Sequence, residues 1–383
     1  MFHLYLIAPL IPGYAITFNS SLMGLAIPAF AIPFSIAAAA MAFFPSAIIK
    51  PGKWFAFSLA VMSIGSFLLS TVQSAEVFLL TRALTRLATG VLLPAALIIA
   101  TRSVGKRASF TNLAVIIFFL ATGMTFAPST GGWLNDVLGW RFLYQGIGII
   151  AMLLWLSYLF INNKNQQALH QQQPIVKTTS GLHIIWAGRG IYTFVYLSGV
   201  FHSGVFVWII YYFSTQYQLD EFQIAPPLLI FGFPGLTITM LMFRYHLDGK
   251  VIKILYSGFI LTIAGLFVMT ANLPLWMAEW LLAIMSVGYC FSQPLFIGIL
   301  KLPLAGVYAG RLIAIGSGIL FAGYGTGPLL MTMLLATNKA VPIVFLVLLI
   351  LIMATLSRRI WNIPELHKRH YMLLRKWQRS KIY

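Results

Sequence analysis

Eleven runs of predominantly apolar residues follow one another with only short polar breaks, at roughly 21–48, 54–73, 77–100, 110–134, 142–162, 189–213, 223–243, 252–272, 275–299, 307–336 and 341–361. A helix that crosses a bilayer needs about 20 such residues, so each run is long enough to span. A twelfth run, at 3–18, is shorter and carries Pro9 and Pro12. Hydrocarbon offers no water to backbone N–H and C=O groups, which leaves helices and closed barrels as spanning structures. The runs lack the alternation of a barrel strand and are too long for one. Only 8% of residues are charged, against roughly 25% in a soluble domain, and 60% are hydrophobic, so the bilayer must serve as solvent for most of the chain. The expectation is an all-α membrane protein of about 12 transmembrane helices, with the chain starting partway through its first helix. That first run has no basic segment before it, so no cleavable signal peptide is read.

The net charge of +18 raises the question of nucleic acid, and its placement answers it. If the runs are helices, loops alternate sides and Lys and Arg gather on the cytoplasmic side. One set of loops, with the C-terminal stretch from Arg358 onward, holds 21 of the 25 basic residues, among them Lys50, Lys53, Arg102, Lys106, Arg244 and Lys250. The opposite set holds Arg141 and Lys339. Arg82 and Arg86 lie inside a run. This asymmetry sets a cytoplasmic C-terminus and explains the basic chain without nucleic acid. It predicts a multi-pass protein of the cell inner membrane, its basic tail at 362–383 lying against anionic lipid.

The first half recurs in the second. Pro94 is answered by Pro294, Pro128 by Pro328, and Gly52-Lys53 by Gly249-Lys250, at offsets near 200. The longest polar stretch between runs, 163–188, has the Asn- and Gln-rich composition of a connector and divides the chain into 1–162 and 189–361. Each part holds six runs if the short first one is counted. Two similar bundles suit a secondary transporter, in which they rock about one central site. The one cysteine, Cys290, excludes an intrachain disulfide and a thiolate metal cluster, and no cofactor or metal is implied.

Several stretches resemble the major facilitator superfamily. In the fourth helix Arg82-Ala-Leu-Thr-Arg-Leu-Ala-Thr-Gly90, continuing to Pro94, is similar to the RxxxGxG motif, with Arg86 where a glycine is usual. In the fifth, Gly123-Met-Thr-Phe-Ala-Pro128-Ser-Thr-Gly131-Gly132 resembles the GxxxGPxxGG motif of the antiporters, with Ala127 for the second glycine. Gly139-Trp140-Arg141 fits the start of the sixth helix. Between the second and third helices, Pro45 to Lys53, including Lys50 and Gly52, takes the place of GxLaDRxGRR, with Ile49 where the acid belongs. The resemblance implies the major-facilitator two-bundle fold, a monomer, and the drug/metabolite:proton antiporter (efflux) branch. It also implies that helices one, four, seven and ten line the cavity.

Arg82 and Arg86, four apart, share one helix face. Counting from Glu76 at the outer boundary, Arg86 is about ten residues in, roughly 15 Å deep at 1.5 Å per residue. A charge near mid-bilayer costs at least about 2.5 kcal/mol, so it should face protein or a water-filled cavity. Arg82 reads either as a tether to helix-end carbonyls, Glu76 or Asp136, or as a functional cation. Arg86 reads as a holder of an anionic or strongly hydrogen-bonding cargo group. Glu279, an acid within the tenth run, pairs with Arg82, carries a coupling proton, or snorkels to the boundary. His202, in the seventh run near Tyr196, Trp208, Tyr211 and Tyr212, reads as a proton carrier or a core histidine. Gln293, Tyr289 and Gln145 are further polar candidates. Gly90, Pro94, Gly123, Pro128, Gly131 and Gly132 permit close, bent helix contacts, serving a hinge or simple packing.

The leading reading is a proton-coupled secondary transporter exporting a small organic compound. An ATP-driven pump is disfavoured by the absence of GxxxxGK[ST], and a membrane enzyme by the absence of a catalytic constellation. The alternative is a non-transporting sensor or degenerate copy, suggested by the missing loop acid and the short first run.

Overall fold

The structure, a computed structural model, describes residues 2–7, 10–101, 106–169, 189–220, 223–244, 251–290, 307–338 and 340–361. Its regular elements are helices: α1 (Phe2–Tyr5), α2 (Ile11–Thr17), α3 (Pro28–Ala40), α4 (Pro45–Ile49), α5 (Pro51–Thr71), α6 (Ala75–Thr89), α7 (Leu92–Thr101), α8 (Lys106–Leu138), α9 (Trp140–Leu169), α10 (Arg189–Gln216), α11 (Ala225–Arg244), α12 (Val251–Val268), α13 (Leu275–Cys290), α14 (Val307–Leu335) and α15 (Val341–Trp361). No strand occurs among the described residues. Seven stretches are long and apolar enough to cross a membrane: Leu22–Phe43, Pro51–Thr71, Ala75–Ala100, Trp140–Ile161, Arg189–Gln216, Gly310–Leu335 and Val341–Arg358. Three shorter apolar helices, Ala225–Ile238, Lys253–Val268 and Leu275–Cys290, join them. The 33-residue α8 is about 50 Å long at 1.5 Å per residue.

Prolines and caps set the boundaries. The run 21–48, expected as one span, is divided into 3₁₀ turns at Ser21–Ala26 and Met41–Phe43 around α3, followed by α4. Pro28 opens α3, Pro33 lies inside it and Pro45 opens α4, each lacking the N–H that continues a helical ladder. The fourth run breaks at Gly90-Val91, between α6 and α7. Pro94 has no N–H to give the carbonyl of residue 90, so the ladder stops there. Ser74 starts α6, its hydroxyl accepting from the Val77 N–H at 3.4 Å, with Glu76 in the first turn complementing the helix dipole. α9 runs on to Leu169, into the segment read as connector, through residues that lack Pro and Gly and include the helix formers Lys, Gln, Ala and Leu. Residues 170–188 and the tail 362–383 lie outside the described residues, as do Gly249, Lys250 and Pro294.

The repeat of about 200 residues is visible in the packing. It carries α3 onto α11 and α8 onto α14. α3 packs against α14, and α8 against α11, so the repeat exchanges the two contacts. Pro128 and Pro328 occupy matching places inside α8 and α14.

The tightest contact joins α10 and α14. A Cβ on Gly323 would strike the Tyr196 carbonyl oxygen and lie 2.9 Å from Val200 N. One on Gly327 would strike Ser203 Oγ and lie 2.6 Å from the Val200 carbonyl oxygen. Opposite them, Gly199 would meet the Leu320 carbonyl oxygen at 2.6 Å. Without a strong hydrophobic drive between helices in lipid, such close backbone approach supplies the attraction. Large side chains on the outer surface, such as Phe142, Ile149, Leu153 and Phe160 of α9, stay exposed to the bilayer.

Candidate functional site

α6 brings Arg82 and Arg86 into the protein interior, at 0% and 2% exposure. Each nitrogen of Arg82 has a partner. Its Nε donates to the Ala26 carbonyl at 2.8 Å, Nη1 to the Tyr144 hydroxyl at 3.1 Å, and Nη2 to the His3 carbonyl at 3.3 Å. Those three neutral oxygens come from the first, second and sixth runs. This is a tether to helix-end carbonyls; Glu76, Asp136 and Glu279 are not among its hydrogen-bond partners.

Arg86 differs. Its Nε and Nη2 have no hydrogen-bond partner among the described residues. Its guanidinium carbon sits 4.5 Å from the centre of the Phe30 ring, which the Arg82 guanidinium also overlies at 5.1 Å. A cation on an aromatic face gains about 2 kcal/mol when desolvated, less than its lost hydrogen bonds to water. Nearby polar groups are unsatisfied too. Among the described residues both ring nitrogens of the buried His3 lack partners, and that ring lies 5.8 Å from Phe30 and 5.3 Å from Tyr144. Thr89, one turn beyond Arg86 on the same face, has an unpartnered hydroxyl. An orphaned buried donor costs about 1–3 kcal/mol, so donors gathered in this way are suited to an oxygen-rich ligand.

A second cluster surrounds His202 on α10. Both its ring nitrogens are buried without partners among the described residues. The ring is enclosed by Tyr5 (5.9 Å), Phe206 (5.2 Å), Phe231 (5.9 Å), Tyr289 (5.7 Å, stacked) and Tyr324 (5.9 Å). These are not the aromatics expected from proximity along the chain. Trp208 stacks on Tyr212 at 5.2 Å, the Tyr212 ring continues to Tyr217 at 5.9 Å, and the Tyr196 hydroxyl pairs with Thr326 at 3.0 Å. Six residues from His202, Trp208 falls on a different helix face; Phe206, at four, shares one.

The remaining candidates are dispersed. Glu279 is half-buried on α13, and Gln145 half-buried on α9. Gln293 lies outside the described residues. Lys50 and Lys53 are exposed where α4 gives way to α5, and a Cβ on Gly52 would strike the Tyr158 hydroxyl. A Cβ on Gly90 would lie 2.6 Å from the Phe34 carbonyl oxygen, so this glycine lets α6 close on α3. Gly131 would lie 2.7 Å from the Leu6 carbonyl oxygen, whereas Gly132 faces open space. Pro128 is buried in α8 and Gly123 half-buried, near the α8–α11 contact where Ser129 donates to the Ala225 carbonyl at 3.1 Å. His3, Tyr5 and Tyr324 were not picked out from the sequence. For His3 the signal existed, since an ionisable residue in an apolar run is what marks His202.

The human organic anion transporter MFSD10 (TETRAN) has a similar crystal structure, with a TM-score of 0.71 at 15% identity over 93% of this chain and 95% of that one. At that identity the likeness is one of fold. No curated protein matches the sequence. The Major Facilitator Superfamily profile matches residues 1–302, well over half of the chain. With the helical membrane architecture, the repeat-related packing and that match together, the chain belongs to the Major Facilitator Superfamily and is a membrane transporter.

Proposed function

We propose that the protein is a secondary active transporter that holds the anionic group of a small organic compound on Arg86 and exports it across the inner membrane in exchange for protons. The observation that carries this reading is a fully buried guanidinium with two nitrogens left without partners among the described residues, beside a second arginine whose three nitrogens each have one. Arg suits carboxylate because its planar fork donates two parallel bonds. The fold neighbour's description as an organic anion transporter agrees with this choice of charge. Bundles at 1–162 and 189–361 rock about the α3–α14 and α8–α11 contacts, with a monomer as the working unit. His3, His202 and Glu279 are the groups available to exchange a proton with the cargo cycle.

The test is uptake into inverted membrane vesicles, with radiolabelled benzoate beside an organic cation and a neutral drug. Benzoate should accumulate when the vesicle interior is acid, and collapse of the pH gradient or Arg86→Gln should abolish it. Accumulation that ignores Arg86 refutes the anion site, and accumulation that ignores the gradient refutes proton exchange. No flux of any compound favours the non-transporting alternative.

A further inference from the structure

We infer that His202 and its ring enclosure form a second binding station, which takes a planar, hydrogen-bonding part of the cargo. The cargo class is then an aromatic acid with a hydroxyl or similar polar group remote from its carboxylate. This deepens the reading in which Arg86 holds the anionic end, and it rests on that reading for the carboxylate alone.

Three observations carry it. The first is the orphaned imidazole. A neutral histidine presents one donor and one acceptor, and both ring nitrogens of His202 are buried with nothing bonded to them among the described residues. Packing alone would be served by phenylalanine or leucine at that place without the cost of two unsatisfied groups. The second is the enclosure. Five rings drawn from α1, α10, α11, α13 and α14 surround the imidazole, with Tyr289 stacked at 29° and Tyr5 edge-on at 85°. The Tyr289 hydroxyl is occupied by Ser198 at 2.8 Å, while the Tyr5 hydroxyl is buried and unpartnered like the imidazole. Apolar walls with a few convergent polar atoms are how small-molecule sites fix orientation. The third is position. The same short helix, α1, gives its His3 carbonyl to Arg82 and its Tyr5 ring to His202. Those two residues are about 3 Å apart along the helix axis, and the His3 ring lies 5.8 Å from the Phe30 ring that Arg86 overlies at 4.5 Å, so the two stations adjoin.

Binding of four probes to the purified full-length protein in detergent separates the stations: acetate, benzoate, phenol and 4-hydroxybenzoate. The wild type should bind 4-hydroxybenzoate at least about fivefold more tightly than benzoate, the effect of one well-placed neutral hydrogen bond. His202→Phe should abolish phenol binding and lower 4-hydroxybenzoate to the affinity of benzoate. Arg86→Leu should abolish acetate and benzoate binding but leave phenol bound. His202→Gln, which keeps a donor and an acceptor, should restore part of the hydroxyl preference and shows that loss in His202→Phe is not misfolding. Phenol binding that survives His202→Phe, or equal affinity of the wild type for benzoate and 4-hydroxybenzoate, overturns the second station. Carboxylate binding that survives Arg86→Leu overturns the anion site instead.

Discussion

Replacing Gly323 with alanine should destabilise the protein, although alanine is ordinarily the better helix former by about 1 kcal/mol. The new methyl would strike the Tyr196 carbonyl oxygen and lie 2.9 Å from Val200 N and 3.0 Å from Gly199 Cα. All three are backbone atoms, so no side chain can rotate away. Restoring ordinary contact at the Tyr196 carbonyl requires α10 and α14 to part by about 1 Å, which forfeits roughly half of the dispersion attraction between facing atoms. It also stretches the 3.3 Å bond from Ser203 Oγ to the Gly323 carbonyl. Overpacking of this kind costs about 1–3 kcal/mol, more than the propensity gain returns. Gly132 is the matched control, since nothing lies within 4 Å of a Cβ there. Thermal unfolding of both variants in detergent, followed by tryptophan fluorescence at one scan rate, should show Gly323→Ala melting several degrees below the wild type. Gly132→Ala should melt at or above it. A Gly323→Ala protein as stable as the wild type, or an equal loss in Gly132→Ala, refutes the close-contact argument.

The two buried arginines should separate by phenotype. Arg82→Ala leaves two buried carbonyls and the Tyr144 hydroxyl without their donor, so it should cost about 3 kcal/mol or more and show as a lower melting temperature. Arg86→Leu removes a buried cation with two nitrogens unpartnered among the described residues and should melt no lower than the wild type while losing carboxylate binding. Exchanging charges between Arg82 and Glu279 should fail to rescue transport, because Arg82 spends its donors elsewhere; a double variant more active than Arg82→Glu would contradict that geometry.

Much of this architecture was legible because a bilayer imposes length and polarity so strictly. The spans follow from apolar runs, and Arg82, Arg86 and His202 stand out because an ionisable group in such a run is costly. The breaks at Gly90 and around Pro28 and Pro45 needed local chemistry to be read at finer grain than run length. The division of labour between the arginines was not readable: both are the same residue type on one helix face, and only the third dimension shows that Arg82 reaches Ala26, His3 and Tyr144. The enclosure of His202 was hidden for a similar reason. Phe206 is implied by helical spacing, but Tyr5, Phe231, Tyr289 and Tyr324 come from segments up to about 200 residues from His202, and nothing in their local sequence announces the meeting.

The tether made by Arg82 has a bearing on biogenesis. Its oxygen partners belong to residues 3, 26 and 144, so three spans converge on a guanidinium that none of them contains. The ribosome delivers residue 82 after the first two segments have left it, and Tyr144 only after some sixty further residues. During that interval the nascent chain must shelter an incompletely satisfied cation within or beside the translocon. Consolidation of the leading portion is therefore a late, collective event rather than the successive settling of independent hairpins.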